Sequence, residues 1–121
     1  MSGPERDLLD RAAQIIEAKK AARLTVIDVG GSSIPTGYFL VASGENPVHV
    51  RALGNELLAK MPLAPRHVEG LREGRWALLD YGDFIVHLFH DEVRAFYDIE
   101  GLWPGRQVVP WPGLRSPRPS L

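Results

Sequence analysis

The sequence predicts a mixed α/β fold, with a sheet of about five strands covered by helices. An amphipathic helix opens the chain, and two apolar, β-branched runs follow it. A second helix then separates these runs from a two-stranded hairpin and a final short helix. The order α-β-β-α-β-β-β-α is typical of helices packed on a sheet in the α/β or α+β class. The hairpin is expected to be antiparallel, whereas a strand reached across the second helix can pair in parallel.

The first three elements follow from apolar spacing and glycine positions. A helix is predicted from Pro4 to about Ala22, because apolar residues recur at helical spacing and proline suits the first turn. Residues 24–29 are predicted to form a buried strand that ends at Gly30. Residues 38–43 form a second run of the same kind and predict a second strand beside it.

The second helix has a clear start and end in the sequence. Asn46 is a good N-cap and Pro47 suits the first helical position. The apolar face continues to Met61, and Pro62 ends the helix. Residues 67–69 are predicted to form a short strand after this break.

The hairpin is predicted from two apolar runs joined by a polar turn. Residues 75–80 and 84–89 are the two strands, and residues 81–83, Tyr-Gly-Asp, have the composition of a tight turn. Asp91 is expected to cap a short helix over residues 92–97. Together with the earlier elements, this places residues 1–103 in one domain.

The last part of the chain has a different composition. Residues 104–121 contain five of the ten prolines, three arginines and no acidic residue. This composition predicts an extended or flexible, basic C-terminal tail. Its three positive charges, Arg106, Arg115 and Arg118, suit a minor contact with the phosphate backbone of an RNA.

The overall composition excludes several classes of function. The 121 residues include 14 basic and 15 acidic side chains, so a broad basic face for nucleic acid is not expected. The chain has no cysteine, which excludes disulfides, thiolate metal sites and a cysteine nucleophile. The first residues are charged and do not resemble a signal peptide, and no apolar run reaches membrane-spanning length. We therefore expect a cytoplasmic protein without a cofactor.

Three carboxylates raise an enzymatic alternative. Asp28, Asp80 and Asp83 lie at predicted strand ends, where carboxylates can hold a divalent cation for nucleotide chemistry. The more common interpretation is that aspartates in such turns bond to their own backbone. The strand over residues 38–43 carries no carboxylate, which disfavours a nucleotidyltransferase site. His87 could act as a base, but no serine or cysteine partner is recognisable, so a non-catalytic role is favoured.

Residues 76–103 are the most distinctive part of the chain. They hold two of the three tryptophans, two of the three tyrosines and three of the four phenylalanines, interleaved with charged residues. Aromatic and arginine side chains dominate the energetics of protein interfaces, so this segment suits a docking surface as well as a core. The segments WALLDYGD, VHLF, RAFYDIE and LW resemble the signature of the ribosomal silencing factor family (RsfS, also called Iojap).

The resemblance implies a fold and a function. Members of that family have a nucleotidyltransferase-like fold without its catalytic residues and are not enzymes. They bind the large ribosomal subunit through its fourteenth protein, at the face that meets the small subunit, and they repress translation when nutrients are limited. They commonly form homodimers. The expected contact residues are Trp76, Leu78, Asp80, Tyr81, Asp83 and His87, completed or supported by Arg94, Tyr97, Glu100 and Trp103.

The chain departs from the family pattern at a few positions. Gly37 stands where members usually carry an aspartate, so any role of that acid is absent here. Asn46 replaces the usual serine at the start of the second helix and still caps well. The proline-rich tail is expected to lie outside the family pattern.

Overall fold

The fold is a mixed α/β sheet covered by helices, as predicted, and the helices lie on both of its faces. The computed structural model describes residues 4–31, 36–97 and 108–111. Its elements in chain order are α1 (Pro4–Ala18), β1 (Ala22–Asp28), β2 (Tyr38–Gly44), α2 (Pro47–Lys60), β3 (His67–Glu69), β4 (Trp76–Asp80), β5 (Phe84–His90), α3 (Asp91–Tyr97) and β6 (Val108–Pro110).

One six-stranded sheet organises the chain, in the order β3-β4-β5-β2-β1-β6. The hairpin of β4 and β5 is antiparallel, as its turn chemistry predicts. β2 and β5 pair in parallel, which confirms the expected effect of a helical crossover between them. All other neighbouring strands are antiparallel.

The main core lies between the sheet and the first two helices. Successive side chains of a strand point to opposite sides of the sheet, so every second side chain points toward these helices. Leu40 of β2, Leu79 of β4 and Val86 of β5 are fully buried there. Leu9 of α1 and Leu53 of α2 pack into the same cluster. Burial of this apolar surface drives the two helices onto one face of the sheet.

A smaller core lies on the opposite face of the sheet. Phe39, Val41 and Phe89 form it together with Val93 from α3. Trp76 and Ile85 are partly buried at its border. The short helix α3 therefore covers the central strands on the side that α1 and α2 leave uncovered.

The first helix ends four residues earlier than the sequence predicts. Lys20 has φ 69, in the left-handed region, and Ala21 N–H donates to the carbonyl of Ile16 at 3.0 Å. This is a Schellman-type end with a lysine at the position where glycine is favoured. Apolar periodicity continues beyond residue 18, so the sequence alone does not show this end.

The prediction of a flexible tail is corrected for residues 108–111. β6 pairs antiparallel with β1, through Val26 and Val109 among others. Trp111 is buried, its backbone N–H donates to the carbonyl of Leu24 at 2.8 Å, and its Nε1 donates to Asp10 Oδ1 at 3.0 Å. This segment therefore adds a sixth strand and an aromatic side chain to the domain.

Candidate docking face

The predicted contact residues of β4 lie on the face opposite α1 and α2. Trp76, Leu78 and Asp80 alternate with buried residues and remain partly exposed. Their partners across the hairpin are Phe89, His87 and Ile85, in that order. Directly paired residues project to the same side of a sheet, so β4 and β5 form one continuous surface.

The edge strand β3 extends this surface. His67 pairs with Asp80 and Glu69 pairs with Leu78, so both project to the same side, and both are exposed. The His67 Nε2 and Glu69 Oε2 atoms are 2.5 Å apart. These two residues are absent from the predicted contact set, although alternation about Val68 indicates that they share one face of the strand. We call the six exposed or partly exposed side chains the hairpin face: His67, Glu69, Trp76, Leu78, Asp80 and Ile85.

Trp76 is held by ring contacts to Phe89 and His87 and by one hydrogen bond. Its indole stacks on Phe89 with centroids 4.7 Å apart and an interplanar angle of 29°. Its Nε1 donates to His87 Nδ1 at 3.1 Å. The indole therefore has a fixed orientation while part of its surface stays open to solvent.

His87 lies beneath the hairpin face. Its side chain is 4% exposed, and its ring meets Phe39 edge-on with centroids 4.4 Å apart. Burial lowers the pKa of His87 to about 4, because a charged imidazole is poorly solvated there. The ring is therefore neutral at physiological pH. Since Nδ1 accepts from Trp76, the proton resides on Nε2.

The hairpin turn combines one buried aromatic with two carboxylates. Tyr81 is buried and stacks on Phe84 with centroids 5.4 Å apart, and burial raises its pKa to about 12. Asp80 Oδ1 accepts from the backbone N–H of Gly82 at 2.8 Å. Asp83 is exposed, and its carbonyl accepts from the backbone N–H of Gly37 at 3.1 Å. The turn is thus fixed to the segment that leads into β2.

Arg94 connects α3 to the sheet. Only 1% of its surface is exposed. Its guanidinium donates to the Arg23 carbonyl at 2.8 Å, to Ser43 Oγ at 2.9 Å and to Thr25 Oγ1 at 3.1 Å. The helix is therefore anchored on β1 and β2, and Arg94 stabilises the fold from a buried position.

Burial narrows the set of residues that can touch a partner. Tyr81 and His87 of the expected contact set and Arg94 of the supporting set are buried, so their side chains reach a partner only after rearrangement. Tyr97 belongs to α3, while Glu100 and Trp103 lie outside the described residues. Among the predicted residues whose burial the structure describes, the accessible ones are Trp76, Leu78, Asp80 and Asp83.

Two of the three carboxylates of the enzymatic alternative, Asp28 and Asp80, follow the common structural interpretation. Asp28 Oδ1 accepts from Gly30 N–H at 2.9 Å, just as Asp80 bonds within its own turn. Within residues 4–31, 36–97 and 108–111, no three acidic, histidine or cysteine side chains gather as a metal site would require. No helix in those ranges is long and apolar enough to cross a membrane.

Comparisons with known proteins agree with the sequence signature. The family model described as "Ribosomal silencing factor during starvation" matches residues 3–120. The tail up to residue 120 thus falls within the family pattern, and the prediction that it lies outside is wrong.

Individual relatives cover most of the chain. The ribosomal silencing factor RsfS of Halalkalibacterium halodurans is 32% identical over 114 residues, which cover 92% of this chain and 97% of that protein. The mouse protein named mitochondrial assembly of ribosomal large subunit protein 1 is 28% identical over 101 residues, covering 78% of this chain and 44% of that protein. A crystal structure of a Chromobacterium violaceum protein superposes with a TM-score of 0.78 at 29% identity, covering 87% of this chain and 90% of that one. On the extent of the family match and of these likenesses, the chain belongs to the ribosomal silencing factor family.

Proposed function

We propose that this protein is a translational repressor that docks on the large ribosomal subunit through the hairpin face. The observation that carries the proposal is the position of Trp76, Leu78 and Asp80. They belong to the part of the chain with the family signature, and the fold leaves them accessible side by side. The names of relatives from bacteria and mouse, which refer to ribosomes or to the large subunit, support this target.

The proposed contact is the fourteenth protein of the large subunit, at the face that meets the small subunit. The hairpin face offers a partly exposed indole beside leucine and isoleucine, which suits the apolar centre of an interface. Glu69, Asp80 and Asp83 provide carboxylates around it, which suit a basic ribosomal protein. Arg66, whose guanidinium lies beside Gly82, reduces the net negative charge of this region. We therefore expect moderate salt sensitivity.

Repression follows from occupancy alone. A factor bound at the inter-subunit face excludes the small subunit sterically, so its affinity and concentration set the degree of inhibition. No catalytic step and no cofactor are needed. The setting in which we expect this is the cytoplasm under nutrient limitation.

Two further features belong to the same proposal. We expect a homodimer in the free state, and tail arginines that add a minor contact to ribosomal RNA. The RNA contact is tested by truncation after residue 112, which removes Arg115 and Arg118 and keeps β6 and Trp111. A small loss of affinity for the large subunit that shrinks at higher salt is the expected result.

The partner is tested by calorimetric titration of this protein into the isolated fourteenth protein. We expect saturable one-to-one binding that weakens as ionic strength rises from about 50 to 200 mM, because the carboxylates contribute to encounter. If the whole subunit binds and the isolated protein does not, the contact must lie on another ribosomal component.

A further inference from the structure

We propose that His87 is a positioning residue, whose neutral ring holds the indole of Trp76 in the orientation that the docking partner meets. The inference rests on the proposed function, because it concerns the same face. It assigns His87 a role beneath the surface rather than a contact with the partner.

The geometry fixes Trp76 from two sides. Stacking on Phe89 sets the plane of the indole, with centroids 4.7 Å apart. Stacking alone leaves the ring free to slide or to flip within that plane. The hydrogen bond from Trp76 Nε1 to His87 Nδ1, at 3.1 Å, selects one orientation.

His87 is itself held in place by its surroundings. Its ring meets that of Phe39 edge-on, with ring centroids 4.4 Å apart. Strand pairing places His87 between Val41 of β2 and Leu78 of β4. Trp76 pairs with Phe89, so the hydrogen bond to His87 runs diagonally between the strands. Diagonal neighbours are farther apart than direct pairs, and two long side chains are needed to span the distance.

Stability does not account for a histidine at this position. Its Nε2 is buried and meets no hydrogen-bond acceptor within residues 4–31, 36–97 and 108–111. A buried donor without an acceptor destabilises the folded state, and an apolar side chain of similar size would avoid this cost. What histidine supplies and leucine does not is the acceptor for Trp76. The arrangement therefore favours orientation of the docking residue over stability of the core.

A double-mutant cycle separates this role from a general structural one. The variants are His87→Leu, Trp76→Phe and the pair, and the measured quantity is affinity for purified large subunits. Phenylalanine keeps an aromatic ring to stack on Phe89 but has no N–H donor. We expect His87→Leu to weaken docking about fivefold in the wild-type background, the loss of one typical hydrogen bond. In the Trp76→Phe background it should cause no further loss.

The conservative variant and a spectroscopic signal complete the test. His87→Asn keeps an acceptor near the position of Nδ1 and should retain part of the affinity that His87→Leu loses. The indole N–H resonance of Trp76, assigned by its absence in Trp76→Phe, should shift in His87→Leu and less in His87→Asn. The melting temperature of His87→Leu should equal or exceed that of the wild type.

Three results would overturn the inference. They are an unchanged affinity in folded His87→Leu, an equal loss in both backgrounds, and a Trp76 resonance that does not move. A different result is expected if the proposed docking face itself is wrong. In that case Trp76→Ala itself leaves affinity for the large subunit unchanged while the fold is intact.

Discussion

The guanidinium of Arg94 donates a hydrogen bond of 2.8 Å to the backbone carbonyl of Arg23, at an irregularity in β1. Arg23 has φ 55, in the left-handed region that side chains other than glycine rarely adopt. The strained residue and the buried cation thus meet at one point, where α3 is fixed to the sheet. Ser43 and Thr25 complete this set of acceptors.

Replacement of Arg94 should destabilise the fold. Arg94→Ala should lower the free energy of unfolding by about 2–4 kcal/mol, because one buried and two partly buried hydrogen bonds lose their charged donor. Arg94→Lys should recover part of this, since lysine keeps the charge but not the planar fork. Urea denaturation measures both. The exposed Arg11→Ala is the control and should change stability by less than about 0.5 kcal/mol. An equally small effect of Arg94→Ala would contradict the anchoring role.

Trp76 should be the energetic centre of docking. Trp76→Ala should weaken binding to the large subunit by roughly 2–4 kcal/mol, as expected for a central aromatic at an interface. Val48→Ala is a matched control, because Val48 is 65% exposed and lies on α2, away from the hairpin face. Affinity of the two variants for purified large subunits measures the difference. Equal affinity of folded Trp76→Ala and wild type would remove Trp76 from the contact.

The buried histidine should make stability depend on pH. The pKa of His87 is about 4 in the folded state, against about 6.5 for an unfolded histidine. Between these values the unfolded state binds a proton that the folded state does not. The free energy of unfolding therefore falls as pH decreases from about 6.5 to about 4, by up to roughly 3 kcal/mol from this group.

Denaturation at several pH values tests this dependence. The difference between wild type and His87→Leu isolates the contribution of His87, because the other titrating groups are common to both. That difference should change steadily between pH 6.5 and pH 4 and stay constant above about pH 7.5. If the free energies of unfolding of the two proteins change by the same amount with pH, His87 is not buried in its neutral form.

The end of α1 offers a stabilising substitution. Lys20 adopts φ 69, so Lys20→Gly should raise the free energy of unfolding by about 0.5–1 kcal/mol, since glycine takes this conformation without steric cost. Lys19→Gly is the control one residue earlier, where φ is not positive, and should lower stability instead. Thermal unfolding of both variants gives the comparison. A lower melting temperature of Lys20→Gly would contradict the predicted steric relief.

The C-terminal tryptophan should contribute to the stability of the whole domain. Trp111→Ala should cost about 3–5 kcal/mol, the range for loss of a large buried aromatic. Trp111→Phe should cost only about 1 kcal/mol, since it mainly removes the hydrogen bond to Asp10. Chemical denaturation of the two variants measures these losses. If Trp111→Ala proves neutral, the segment after residue 107 does not stabilise the domain.

Much of the fold could be predicted because local signals agreed with one another. Asn46 caps α2 by accepting from His49 N–H at 2.9 Å, as its position before Pro47 indicates. Trp76, Leu78 and Asp80, the alternate residues chosen for the predicted contact set, lie on one face of β4 and are partly exposed. These signals depend on neighbours in sequence, and such neighbours are visible without the structure.

The features that the sequence did not show depend on contacts between residues that are far apart in the chain. β6 is three residues long and ends in a proline, so only its pairing with β1 and the burial of Trp111 identify it as part of the sheet. His87 was expected in the contact set together with the other hairpin residues, and the sequence does not show how deeply its ring is buried. Its ring packs against that of Phe39, 48 positions away in the chain. Arg94 likewise could be placed only once β1 and β2 were positioned beside it.

The most direct test of the central claim is sedimentation of purified large and small subunits on a sucrose gradient, with and without this protein. The account predicts that the protein migrates with the large subunit and that the peak of joined subunits decreases as its concentration rises. Trp76→Ala should restore the joined peak at the same concentration. If the protein remains at the top of the gradient and the joined peak is unchanged, the proposed function is contradicted.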